Sequence, residues 1–538
     1  VLRQAQHERN KPYDLRLHPQ GISFVCTLKG IKSDKLLNLS FITVHPSLSK
    51  GFPLFLQEAQ YKAGFLQEEK METKERMNIP RQAAKELPVA ERIKNFAEVV
   101  SGYTAEQAKL EAERCLQCKK PKCREGCPIH NDIPGFIRLL REGKIEEAYW
   151  LDRETNSLPA ICSRVCPHEF QCEGNCIRGK KGEPVAIGML ERYIVDWMVA
   201  NNKSLLEACA LPKNKKVAIV GSGPAGMSVA YYLAHAGYQC TIFESLPVFG
   251  GMLAVGIPAY RLPREIIAAE FTALKNCGVE LVHGVTIGKD KTLQDLKNEG
   301  FSAVFIGPGA HASRKLGVEG EELAGVVHGV DYLRRVNLGE KLDLGKNVVV
   351  VGGGNVAIDC ARTALRSGSD KVFILYRRSK AEMPASQAEI HHLEEEGVRI
   401  EMLAAPVAIH GENGRLKRIE CIRMELGACD ASGRCRPVPK EGSNFMIEAD
   451  AIIPAISQDV DATAGSGLDL TLTRWGTFVV DETTMQTSAD WVFAAGDAVL
   501  GPQTAAKAVY QAREAAESIC RYLEGQDLKA GRQAFSLE

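Results

Sequence analysis

The apolar positions fall into distinct textures along the 538-residue chain. Over residues 1–70 neither a 3.6- nor a 2-residue period is sustained and no motif appears, so no element is expected there. Residues 4–21 read as translated intergenic repeat sequence. Met71 and Met77 are both plausible starts, and the residues before 71 are read as a start-site artefact or a disordered extension. From residue 83 the spacing turns helical. Ile93, Phe96, Ala97 and Val100 repeat at i, i+3, i+4 and i+7, which predicts a helix over 90–100. Thr104-Ala105-Glu106-Gln107 has the form of a capping box opening a second helix. Further short helices are expected at 133–140 and 145–150.

At Lys215 the pattern becomes strand–helix–strand. Residues 217–220 are uniformly apolar, 227–236 are helical in texture, and 239–243 form a second strand ending on Glu244. The same order recurs from residue 347, with a strand at 347–351, a helix to about 367 and a strand at 371–376. A last strand begins at Val492, and a helix runs from about Thr504 to about residue 523. This alternation predicts a helical domain at 71–205 followed by two parallel α/β dinucleotide-binding domains. The expected boundaries are 212–339 and 454–525 for a split first domain, 340–453 for a second domain inserted into it, and 526–538 for a tail.

Chemistry enters with the cysteines. Eight of the seventeen occur as Cys115-x2-Cys118-x4-Cys123-x3-Cys127-Pro128 and Cys162-x3-Cys166-Pro167-x4-Cys172-x3-Cys176. Packing gives no reason to crowd thiols so densely, and short spacings ending in Cys-Pro suit iron–sulfur ligation. Spacing alone leaves one or two zinc sites open. Such a helical domain leans on its inorganic groups for folding, since metal–ligand bonds replace much of a core.

The strand at 217–220 runs directly into Gly221-Ser222-Gly223-Pro224-Ala225-Gly226, and Glu244 closes the next strand, completing a dinucleotide fingerprint. An acidic residue there bonds a ribose hydroxyl, which suits FAD. Gly250-Gly251 fits a loop near the flavin ring. Gly496-Asp497, followed by the helix from Thr504, fits the ribityl chain and a helix dipole facing the flavin. The second loop is Gly352-Gly353-Gly354-Asn355-Val356, and its following strand ends in Arg377-Arg378 rather than an acid. Guanidinium groups bind a 2′-phosphate through paired charge-assisted hydrogen bonds, so this loop is read as an NADPH site in preference to NADH. Neither region carries a close cysteine pair, so thiol–disulfide exchange is disfavoured. Cys240, Cys277 and Cys360 read as small buried hydrophobes. Cys429 and Cys435 read as incidental residues of a polar loop over 427–444.

Composition narrows the class further. Lys+Arg and Asp+Glu both number 67, so no net field favours nucleic acid or an anionic membrane. No apolar run approaches a spanning helix; the longest, at 36–44, is broken by Asn38 and Ser40. Cysteines at ligand spacings beside nucleotide motifs point to a reducing cytoplasm.

Taken in order, Cys115 to Cys127-Pro128, Cys166-Pro167 to Cys176, the Gly221 loop, Gly250-Gly251, Ile257-Pro258-x-Tyr260-Arg261-Leu262-Pro263, the Gly352 loop, Arg377-Arg378 and Phe493-Ala494-Ala495-Gly496-Asp497 resemble the small (β) subunit of NADPH-dependent glutamate synthase. They are equally similar to the N-terminal half of dihydropyrimidine dehydrogenase and to the large flavoprotein subunit of NADH-dependent ferredoxin:NADP oxidoreductase. The resemblance spans about residues 96–523 and leaves 1–70 without a counterpart. It implies FAD, NADPH and two [4Fe-4S] clusters. Cys115, Cys118, Cys123 and Cys176 would hold one cluster. Cys127, Cys166 and Cys172 would hold the other, with Glu191 of Ile187-Gly188-Met189-Leu190-Glu191 as fourth ligand and Cys162 left out. It further implies FAD contacts at 221–226, Glu244, Gly250, Gly251, Arg261, Ile287, Gly496, Asp497 and Thr504, and NADPH contacts at 352–356, Arg377 and Arg378. Hydride would pass between cofactors with no protein acid or base. The electrons would leave to a redox partner protein, a glutamate synthase-type large subunit or, as the alternative, a transhydrogenase or other ferredoxin-linked complex.

Overall fold

The computed structural model describes residues 14–18, 21–25, 71–207, 209–430 and 433–534. Residues 1–70 and 71–538 are separate compact units. In the first, Asp14–His18 pairs antiparallel with Gly21–Val25, a hairpin where no element was expected. The readings placed on the rest of 1–70 lie outside the described residues.

The helical part of the second unit is built mainly from five helices of 7 to 14 residues: α1 Ala105–Glu113, α2 Ile133–Arg141, α3 Ile145–Arg153, α4 Pro159–Val165 and α5 Ile187–Ala200. The Thr104 capping box is formed: the hydroxyl accepts from Gln107 N, and the Gln107 side chain accepts from Thr104 N. The helix expected over 90–100 is a single turn, Val89–Arg92. The Asn95 amide donates to Glu91 O and accepts from Ala97 N, offering the backbone a turn in place of the next helical bonds. Val99 N then donates to Tyr260 O.

Strands β1 Lys216–Val220, β2 Gln239–Glu244, β3 Glu280–His283 and β4 Phe301–Ile306 form a parallel sheet, with α6 Pro224–His235 crossing from β1 to β2. The chain then leaves this sheet to build a second one from β5 Asn347–Val351, β6 Lys371–Tyr376, β7 Arg399–Met402 and, further on, β12 Ala451–Pro454. Helices α7 Asn355–Arg366 and α8 Gln387–Glu395 connect its strands. Between β7 and β12 lies an antiparallel sheet: β8 Ala404–Glu412, β9 Arg415–Cys429, β10 Cys435–Pro439 and β11 Phe445–Glu448, in which β8, β10 and β11 all pair with β9. The chain returns to the first sheet at β13 Val492–Ala494, where Phe493 pairs Phe305, and ends in the long helix α9 Ala505–Glu524. The first sheet thus has the order β13-β4-β1-β2-β3 and the second β7-β6-β5-β12, one parallel domain inserted within another. The loop read at 427–444 carries the end of one strand and all of the next, and Cys429 and Cys435 are joined by a disulfide rather than incidental.

Charge holds the domains together. Glu396 accepts from Arg92 Nε (3.0 Å) of the helical domain and from Arg362 and Arg366 of α7. Arg92, Arg362, Arg366 and Glu396 are all buried. The Tyr260 ring of the first α/β domain lies 4.7 Å from the Arg362 guanidinium and 4.2 Å from that of Arg366. A second buried pair, Arg153–Glu270, bidentate at 3.2 and 3.0 Å, ties α3 to the first α/β domain.

Candidate functional site

One cavity of about 1080 Å³ lies between the two sheets and is lined by both glycine loops. In the first loop Gly221 has φ +93°, and a Cβ there would sit 2.3 Å from Gly307 O. Gly226 lets α6 close on the turn, since a Cβ there would meet Gly221 O at 2.0 Å. Gly223 is different: a Cβ on it would meet nothing within 4 Å, so the backbone there is open to the cavity. Pro224 and Ala225 start α6, whose N-terminal amides and dipole favour a pyrophosphate. Gly226→Ala is expected to displace the loop at a cost of about 1–3 kcal/mol and to purify folded but depleted in flavin; an unchanged flavin-to-protein absorbance ratio would refute this role.

Glu244 is buried and lines the cavity. It accepts from Ser222 N (3.0 Å) and the Ser222 hydroxyl, and from Leu246 N (2.9 Å). Gly251 and Ile287 line the same space, whereas Gly250 stands behind it, donating its N–H to the Ser222 hydroxyl (2.9 Å). Asp497 lines the cavity, and burial pushes its carboxyl up to about 6, opposed by the Gln503 N–H. Gly496 supports it from behind, its N–H on Gln511 Oε1 (2.8 Å). Thr504 caps α9, accepting from Lys507 N, so that the helix N-terminus faces the cavity. Arg261 also lines the cavity, but its guanidinium is engaged by Asp359 (2.7 Å) and Glu389 (3.4 Å) of the inserted domain. The structure therefore gives Arg261 a domain-joining contact that the resemblance did not imply.

On the other side, Gly352, Gly353, Gly354, Asn355 and Val356 line the cavity. Gly353 is needed because a Cβ would strike the Tyr376 ring at 2.4 Å, while a Cβ on Gly354 would meet only Pro384, at 3.9 Å. Asn355 Oδ1 accepts from Ser386 N (3.1 Å). Arg377 and Arg378 lie at the cavity wall, joined there by Arg434 of the antiparallel sheet. Burial, then the like charges of Arg378 and Arg434, push the Arg377 guanidinium down. Two open glycine cradles in one cavity, one with an acid and one with arginines, fit two dinucleotides.

The helical domain abuts this cavity at Val165 and Pro167, the neighbours of Cys166. Its thiols form two groups. Cys115, Cys118, Cys123 and Cys176 line one small cavity with Ile133, Ile137, Val185 and Ile187. Burial pushes the Cys115 thiol up to about 11 and Cys123 up to about 12, with the neighbouring thiols adding to both. In the second group, burial pushes Cys127 up to about 12, with Cys166 and Glu191 contributing. Burial also raises Cys172, beside Cys127, Glu191 and Cys166. Glu191 is buried, accepts from Asn156 Nδ2 (2.6 Å), and is raised by burial and then by Asp152 and Cys166. Cys162 stands in the apolar core beside Cys166.

A tetrahedral zinc site would hold its sulfurs about 3.8 Å apart. Among the described residues no three cysteine sulfurs lie within 4.8 Å of one another. The wider spread suits a cuboidal iron–sulfur group. Sequence reasoning missed the surrounding shell: Asp152 Oδ2 and His168 Nε2 are buried without a hydrogen-bond partner. Gly188, inside the Ile-Gly-x-Leu pattern, was the available signal for His168, since a Cβ there would strike its ring at 2.3 Å.

Comparison with known proteins agrees with this arrangement. Residues 92–203 match the family model of dihydropyrimidine dehydrogenase domain II with its 4Fe-4S cluster, and residues 215–512 match that of pyridine nucleotide-disulphide oxidoreductases. The chain is 44% identical to the NADP(+)-dependent formate dehydrogenase subunit beta of Moorella thermoacetica over 74% of its own length and 60% of that protein's. It is 41% identical to the NADPH-Fe(3+) oxidoreductase subunit beta of Geobacter sulfurreducens, over 81% and 69%. It is 36% identical to the glutamate synthase [NADPH] small chain of Azospirillum brasilense, over 81% and 93%. The chain thus spans about three fifths of the first of these relatives. In fold it is similar to Mycobacterium tuberculosis FprA in complex with NADPH, at a TM-score of 0.51, 19% identity, and 60% and 88% coverage.

Fold and sites define an NAD(P)H-dependent flavoprotein oxidoreductase with an iron–sulfur domain. The chain belongs to the pyridine nucleotide-disulphide oxidoreductase family and, within it, to the group that includes the glutamate synthase small chains. Among the described residues no helix is long and apolar enough to cross a membrane.

Proposed function

We propose that the chain is the NADPH-oxidising electron-input subunit of a multi-subunit complex. The observation that carries this reading is the single cavity in which both glycine loops and the flanks of Cys166 meet. Bound there, FAD would supply the conversion of a two-electron hydride donor into one-electron traffic, and [4Fe-4S] clusters would supply the one-electron carriers. The chain's own residues bind and orient. Residues 221–226 and the α6 N-terminus hold one pyrophosphate, residues 352–356 and the α7 N-terminus the other, and each helix dipole favours the negative charge. Glu244 takes a ribose hydroxyl once Ser222 releases it. Asp497 and the α9 N-terminus face the flavin, and Arg377 and Arg378 take the 2′-phosphate. Cys115, Cys118, Cys123 and Cys176 hold one cluster. Cys127, Cys166, Cys172 and Glu191 hold the second, nearer the cavity.

The electrons pass to a partner of the glutamate synthase large-subunit type. A second reading, a different complex built on the same input unit, is favoured by the formate dehydrogenase and Fe(3+) oxidoreductase relatives. Anaerobic co-purification from native cells, followed by NADPH oxidation with candidate acceptors, separates the two; a colourless, iron-free protein would sink both. Arg377→Glu with Arg378→Glu is expected to raise the KM for NADPH by about 10²–10⁴-fold, the loss of two charge-assisted contacts, while sparing NADH. An unchanged NADPH-to-NADH preference would defeat the 2′-phosphate assignment.

A further inference from the structure

We infer that Arg434 is a specificity-determining residue for the 2′-phosphate, held in place by the Cys429–Cys435 disulfide. The inference rests on the NADPH reading and goes beyond the two arginines that end β6. Arg434 comes from β9 and β10, an antiparallel hairpin with no counterpart in the dinucleotide fingerprint, yet it lines the same stretch of cavity as Arg377 and Arg378. The hairpin is fixed to that wall from two directions. Arg378 Nε donates to Cys435 O (2.8 Å), so one of the β6 arginines grips the residue next to Arg434. Arg434 N donates to Asp430 Oδ1 (3.0 Å), closing the turn from within. The disulfide joins the two ends of this turn, with Arg434 between them.

Among the described residues, none of the three arginines makes an ion pair with a carboxylate, whereas Arg362, Arg366 and Arg423 of the same domain do. Three cations gathered on a cavity wall repel one another unless an anion is there to share. A dianionic phosphate monoester presents three oxygens, enough to engage more guanidinium groups than the β6 end supplies. Staple and cation therefore have one physical purpose: the disulfide limits the turn's freedom, so less is lost when Arg434 is fixed on the phosphate.

The test uses the holoprotein with ferricyanide as acceptor, comparing NADPH and NADH, and calorimetric binding of adenosine 2′,5′-bisphosphate against 5′-AMP. Arg434→Ala is expected to raise the KM for NADPH and the Kd for the bisphosphate about five- to tenfold, leaving NADH and 5′-AMP unchanged, with Arg434→Lys partly restoring both. Cys429→Ser with Cys435→Ser is expected to shift the same ratios in the same direction, by less. Equal ratios in wild type and Arg434→Ala overturn the inference. A loss in Arg434→Ala but none in the double serine variant overturns the stapling role. If Arg377→Glu with Arg378→Glu removes the preference while Arg434→Ala keeps it, this inference alone fails; a wild-type protein without preference defeats it together with the NADPH reading.

Discussion

Cys123→Ala is expected to purify with about half its iron, whereas Cys162→Ala keeps all of it. Both thiols belong to the same dense run of sequence, and spacing alone does not separate them. Their surroundings do. Cys123 shares a small cavity with Cys115, Cys118 and Cys176, so that four thiols face one space. Cys162 lies within α4, among Leu158, Ile161 and the core of the first sheet, fully enclosed by apolar side chains and beside Cys166. Alanine at 162 removes a sulfur from a packed core and leaves the cavity of the first group untouched. Glu191→Ala is expected to keep the iron of the first group and to alter the electron paramagnetic resonance of the second, because a carboxylate oxygen is replaced as ligand while three thiolates remain. Its neighbours Asn156, Asp152 and Asn131 form a buried polar shell that orients it. Iron content and low-temperature spectra of the three variants read these roles separately. Equal iron loss in Cys162→Ala and Glu191→Ala would contradict the assignment.

The parallel sheets were legible because a buried strand followed by a glycine loop has few other solutions: β1, β2, β5 and β6 lie where the apolar runs placed them, and Thr504 caps α9 as its position suggested. What was not legible is tertiary in origin. Residues 90–100 carry a good helical stripe, yet Asn95 offers the backbone an alternative, and Val99 finds a partner in Tyr260, far along the chain. The strands β8 to β11 alternate polar and apolar residues only loosely, since much of that sheet is exposed, so a hydrophobic-pattern reading finds a polar loop there. The glycine loops and the thiol groups were readable as motifs, whereas Asp152, His168 and Arg434 matter through neighbours that no local pattern records. Arg261 shows the same limit from the other side. It stands at the cavity, as the resemblance implied, but its charge is answered by Asp359 and Glu389 from the inserted domain.

Glu396→Gln is expected to destabilise the native protein by about 3–5 kcal/mol, the cost of leaving buried charge without its partner. Glu396 lies just past α8, and its two oxygens take hydrogen bonds from Arg92, Arg362 and Arg366, all buried. The glutamine has the same shape but offers one acceptor in place of two and no charge; Arg92 keeps Glu86 and Glu395 and Arg362 keeps Glu389, but Arg366 loses the only carboxylate it pairs with among the described residues. By contrast Glu425→Gln, which breaks the exposed Lys440–Glu425 pair, is expected to change stability by less than about 1 kcal/mol. Burial would raise the Glu396 carboxyl, but hydrogen bonds from Arg366 and Arg362 outweigh it and hold it at about 2, against an ordinary value of 4.5. A carboxyl depressed in the folded state stabilises fully above its ordinary value and loses that contribution as pH falls through the folded one. The gap between wild type and Glu396→Gln is therefore expected to be widest above about pH 4.5 and to narrow towards pH 2. Because Arg92 belongs to the helical domain and Arg362 to the inserted domain, the variant is also expected to slow NADPH-dependent flavin reduction by loosening the orientation of one against the other, with the KM for NADPH little changed. Urea titrations across this pH range, with stopped-flow reduction at neutral pH, measure both effects. A difference that is flat with pH would show that the lattice is held by packing rather than by the charge on Glu396.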